Sequence, residues 1–252
     1  SHFVGSIDEI AVYGRALTAQ EILDHFNAGN NGEGIDPPAA PAAEAPASTI
    51  SYWKLDEAEI FDGSGETYVD SVGSNTGESD GSSPTESPAP VAGRVGVGQA
   101  FDGADTGIDV PADTSFDFLP TDSFSIECWA KPTAIGGTQV LVGRADTGSD
   151  LEMWAGMRPG GVVAFRLFAN NGVGDTITGT AVLDNTKFHH VVAVRNAGTG
   201  ENLLYVNGVL DTSASVDYST ATGFSSATAP LQIGQIIGGS HFVGSMDEVA
   251  IY

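Results

Sequence analysis

The thirteen residues SHFVGSIDEIAVY that open the chain return as SHFVGSMDEVAIY at residues 240–252, 239 positions later. Ten of the thirteen are identical. The three exchanges, Ile7/Met246, Ile10/Val249 and Val12/Ile251, each replace one apolar side chain with another. Packed cores tolerate near-isosteric apolar exchange far better than polar exchange. The two segments therefore read as two copies of one packed strand. On this reading the chain is one period of a longer array plus a short overlap.

Behind the first copy, Thr18 and Glu21 form a T-x-x-E capping box, followed by Ile22, Leu23 and Phe26 at helical spacing and Gly29 as a stop. The spacing predicts a helix from about 18 to 27. The stretch IDPPAAPAAEAPAST that follows is rich in Pro and Ala and has no apolar periodicity, so it reads as a semi-rigid spacer. From Ile50 onward, short strand-like runs alternate with Gly, Asp, Asn and Ser clusters: ISYWKLD, SFSIECWAKP, TQVLVGRA, VVAFRLFAN, KFHHVVAVRN and MDEVAIY among them. Asn207-Gly208 in YVNGV is the signature of a two-residue type I′ hairpin. Many short strands with turn punctuation predict an all-β, antiparallel jelly-roll sandwich over residues 49–252. The expected organisation is a terminal strand plus short helix (1–29), a linker (30–48) and the sandwich (49–252).

Nine Lys and Arg against 33 Asp and Glu give a net charge of −24. A field of that sign repels nucleic acid and anionic membrane and attracts cations. No apolar run approaches the ~20 residues that span a bilayer. Cys128, the single cysteine, falls on the apolar face of SFSIECWAKP and reads as a buried, inert thiol. His189 and His190 point to opposite faces of a strand, which argues for a structural role and against shared metal ligation.

Several of these runs, in order, resemble the LamG-like jelly-roll family within the concanavalin A-like lectin/glucanase superfamily: YWKLDE, VDSVGSNTG, GRVGVGQAFDG, SFSIECWAKP, KFHHVVAVRN, LLYVNGVL, LQIG and FVGSMDEVAIY. The usual family ending, a strand and then YxRALTxxEI, stands here at the front as IDEIAVYGRALTAQEI. The resemblance implies that residues 1–29 are the last strand and closing helix of a preceding repeat. If both copies of the strand belong to one folded unit, they compete for a single slot beside Tyr52–Leu55. The loser, with Phe3, Ile7, Asp8, Ile10 and Val12, then pairs with a neighbouring copy. Otherwise residues 1–13 complete an upstream module of one continuous polypeptide. Both versions describe neighbouring copies of the same module as partners, as in an adhesive or filament-forming protein of the cell surface or extracellular space.

Strict alternation places Asp247 on one face with Val249 and Ile251, where a carboxylate needs backbone N–H groups, an arginine or a cation. Many relatives of this fold hold one structural calcium. The candidate ligands are Asp70, Asn75, Asp102 and Asp247, although Asp102-Gly103 also reads as a self-capping turn. The paired carboxylates of the superfamily's glucanases, an E-x-D-x-x-E strand pattern, are missing, so no enzymatic activity is expected. The alternative function is carbohydrate binding, with Trp154 as an aromatic platform beside Arg158 and Asn170; against it stands Trp154 as an ordinary core residue.

Overall fold

The computed structural model describes residues 6–30, 48–58, 65–79 and 86–252, with side chains from Tyr13 onward. The expected linker at 30–48 lies almost wholly outside the described residues, as does Phe3. Two antiparallel sheets pack face to face, as the strand pattern of the sequence predicts, and Ala89–Ala92 and Val97–Phe101 form a separate two-stranded ribbon. The front sheet runs Thr49–Trp53, then Phe124–Pro132, His189–Asn196, Glu201–Val206 and Val209–Ser215, with one further position between the first two strands. The back sheet runs Gly174–Val182, Val162–Phe168, Glu152–Arg158, Gln139–Ala145, Leu231–Ile233, Ile108–Val110, Gly77–Ser79 and Thr67–Tyr68.

Inward-facing residues follow the period of two. From Phe124–Pro132 the core receives Phe124, Ile126, Cys128 and Ala130, and from the back sheet it receives Met153, Ala155, Val163, Phe165 and Leu167. Cys128 is buried, and burial pushes its thiol pKa up, as expected for an inert cysteine. The hairpin at Asn207-Gly208 has φ of 53° and 75° at its two central residues, which is the type I′ geometry its sequence demands.

Two elements differ from expectation. The helix spans Ala19–Asn30, so Gly29 does not stop it. Gly29 is buried against the Trp129 indole, where any Cβ would collide with the ring. The segment around Trp154, which is not among the strand-like runs of the sequence, is the strand Glu152–Arg158 inside the back sheet.

Candidate functional site: a seat for one strand and one helix

The remaining front-sheet position is claimed by two strands. Ser6–Tyr13 pairs antiparallel with Trp53 through Ile10 and with Ile126 through Val12. Gly244–Ile251 pairs with the same two residues, through Val249 and Ile251. The copies match each other residue for residue, Ile10 with Val249 and Val12 with Ile251. The rings of Tyr13 and Tyr252 fall on one place. Two segments cannot fill one volume, so the overlap leaves room beside Trp53 and Ile126 for one of the two strands at a time.

The slot continues into a seat for the helix. Ser125 exchanges backbone hydrogen bonds with Tyr252 at 2.9 Å each way, and its hydroxyl donates to the Arg15 carbonyl and accepts from the Leu17 N–H. The Thr18 hydroxyl accepts from the Glu21 N–H while the Glu21 carboxylate accepts from the Thr18 N–H, closing the capping box. Arg15 donates both Nη groups to the same carboxylate, at 2.8 and 2.6 Å. These contacts hold the Glu21 carboxyl down at about 2, with the Arg15 hydrogen bond the largest cause among several.

Beyond the cap, Ile22 is buried and Phe26 stacks on Trp129 at 5.8 Å. The Arg94 guanidinium covers the same indole at 5.1 Å and donates to Asn30 Oδ1. Underneath lies Glu127, wholly buried on the outward face of its strand. His25 Nδ1 of the helix stands 2.8 and 2.9 Å from its two oxygens, and His190 Nε2 stands 2.6 Å from Oε1. Burial alone would raise the Glu127 pKa, but the two imidazoles outweigh it and hold the carboxyl at about 2. A carboxylate enclosed in this way has no solvent-facing oxygen for acid–base chemistry; it recognises the helix. His189 points the other way, toward Asp184 and Asn207, which bears out the opposite-face reading of the pair.

The other candidate residues do not converge. Asp70 accepts backbone hydrogen bonds from Tyr52, Val72 and Gly73 on one oxygen and from Asn75 on the other. Asn75 uses its amide on Ser51 and Ser115. Asp102 caps its own turn through Ala104 and Thr106, the second of its two sequence readings. Among the described residues, Asp70, Asp102 and Asp247 form no group of three that could hold a metal. Trp154 is only 3% exposed and packs with Val140, Ala164 and Ile236. Its ring is thus a wall of a small cluster and not an open platform, although Arg158 lies over it at 5.5 Å. Asn170 is spent on the Ser225 backbone, donating to its carbonyl and accepting from its N–H.

Asp247 departs from strict alternation. A bulge between Asp247 and Ala250, with Glu248 at φ 51°, buries both acids. Asp247 Oδ2 accepts the Val95 N–H at 2.6 Å, the first of the three solutions left open by the sequence, while Oδ1 has no partner among the described residues. Burial raises its pKa well above the ordinary value, against the Val95 hydrogen bond. A raised acid costs stability once pH passes the unfolded-state value, because the folded state resists ionisation. Asp247→Asn is therefore expected to raise stability at pH 7 by about 1–3 kcal/mol and to change it little near pH 4. Urea titrations at both pH values check this; a loss at pH 7 larger than at pH 4 would contradict it.

No described helix is long and apolar enough to cross a membrane. No curated protein sequence matches the chain. Solved structures with a similar fold include the binding domain of Paraclostridial Mosquitocidal Protein 1, at 17% identity, TM-score 0.48, covering 62% of this chain and 40% of that one. Another is domain 4 of AbnA, a GH43 extracellular arabinanase from Geobacillus stearothermophilus, solved with arabinotriose, at 18% identity, TM-score 0.46, covering 62% and 70%. The mouse laminin alpha1 chain domains LG4-5 match at 15% identity, TM-score 0.43, covering 54% and 35%. The match therefore spans less than two thirds of the first and third of these proteins. Residues 102–252, more than half of the chain, match the laminin-G-type model, and with it the chain belongs to the concanavalin A-like lectin/glucanases superfamily.

Proposed function

We propose that this chain is a non-enzymatic structural module of an extracellular or cell-surface array, in which the strand-and-helix segment of one module completes the next. The observation that carries the reading is the single slot with two equivalent claimants. Whichever segment is displaced presents a strand with unpaired N–H and C=O groups and an apolar repeat, which is a template for pairing. A neighbouring module, whether in the same polypeptide or in another molecule, offers the matching place. The charge of −24 keeps such an array soluble.

Sedimentation of residues 1–252 tests the intermolecular form against the same chain with Ile10→Pro. Proline removes a ladder N–H where Ile10 pairs with Trp53. The unsubstituted chain is expected to associate with rising concentration, and the variant to stay monomeric. Equal association of both would contradict donation by this strand.

A further inference from the structure

The strand slot has little power to choose between occupants. Its two claimants differ only at 7/246, 10/249 and 12/251, and each difference is an apolar exchange. Backbone pairing and apolar contact tolerate such exchanges. The helix is read more strictly. Ile22, His25, Phe26 and Gly29 stand at i, i+3, i+4 and i+7 and so share one face of Ala19–Asn30, while Gln20, Leu23, Asp24 and Asn27 are exposed.

Each of the four meets a separate demand. Ile22 is fully buried, and Phe26 stacks on Trp129. Gly29 lies so close to the same indole that a Cβ would strike the ring. That indole is itself held, by the Arg94 guanidinium at 5.1 Å and the His190 ring at 5.0 Å. Glu127 is wholly buried, and its Oε2 accepts from His25 at 2.9 Å while Oε1 is shared between His25 and His190. An apolar residue in place of His25 would strip Oε2 of that partner, and a buried acceptor left unpaired is costly. We propose that the helix seat, and not the strand slot, selects which module docks next: it admits a helix that presents Ile, His, Phe and Gly at this spacing, as residues 14–30 of a second copy of this chain do. The inference rests on the array reading and supplies its rule of pairing. A module with a side chain at the Gly29 position, or without an imidazole at the His25 position, is refused even where its strand is identical.

Gly29→Ala in residues 1–252 tests the rule, because alanine favours a helix and would strengthen one that merely lay on the surface. Hydrogen exchange of the variant is expected to show the amides of residues 22–30 losing protection about ten- to a hundredfold, as overpacking implies, with those of His189–Asn196 unchanged. The variant, its seat emptied, is then titrated with three labelled peptides: residues 1–30, residues 1–30 carrying Gly29→Ala, and residues 1–13. The first is expected to bind at least about tenfold more tightly than the other two. Equal binding by all three, binding by none, or a gain in helix protection in the variant would overturn the proposal. His25→Ala is a second host for the same peptides should the Gly29→Ala chain fail to fold. A parent chain that stays monomeric while the peptides keep this order would count against the array and not against the selectivity of the seat.

Discussion

Glu127→Ala is expected to lower the stability of the folded chain by about 2–4 kcal/mol, the cost of leaving two imidazoles without their shared buried acceptor. The substitution leaves His25 and His190 facing each other across an emptied space, with His190 Nδ1 already lacking a partner among the described residues. Glu127→Gln retains an acceptor and should fall between alanine and the parent chain. The same carboxyl sets an acid limit. Its folded pKa is depressed from 4.5 to about 2, so the unfolded chain takes up the proton first as pH falls. The stability it contributes is full above that window and is lost as pH drops through it. Urea unfolding between neutral pH and the acid limit should show a steep loss for the parent chain and a flatter course for the alanine variant. An alanine variant within about 1 kcal/mol of the parent at pH 7 would contradict the role assigned to Glu127.

The second large effect is expected at the floor of the slot. Trp53 is fully buried, donates its indole N–H to the Asn75 carbonyl at 2.8 Å and sits 6.4 Å from the Phe116 ring. Its backbone is the pairing point for both claimants of the slot. Trp53→Ala should cost about 3–5 kcal/mol, from lost burial and the cavity left behind. It should also weaken seating of either strand, because both lose the same neighbour. Trp53→Phe, which refills most of the volume but not the hydrogen bond, should cost less. Measured by denaturant unfolding, a cost of under about 1 kcal/mol for alanine would place Trp53 outside the core that supports the slot.

The slot was legible in the sequence because it is written there twice, and apolar exchange at matching positions marks both copies as packed strands. The capping box at Thr18 and Glu21 and the hairpin at Asn207-Gly208 were legible because local chemistry alone decides them. The helix seat was not. Glu127 stands at a position where alternation points away from Phe124, Ile126 and Cys128, and such a face normally meets water. What covers it is a helix whose His25 lies 102 residues away in the chain. The strand Glu152–Arg158 escaped notice because its five central residues are buried on both faces, which erases the alternation. Gly174–Val182 escaped for the opposite reason, since Ile177 is its one buried residue. The bulge at Glu248 sets Asp247 opposite Trp129 and away from the face of Ile251, which no period of two foresees.

Hydrogen exchange at the amides of residues 6–13 and 245–252, followed as a function of protein concentration, tests the single slot most directly. In the monomer the account predicts that protection of one segment comes at the expense of the other, so that together they amount to one seated strand. On association both become protected. Full protection of both segments in a monomer verified by sedimentation would require two slots in one module, and would contradict the account.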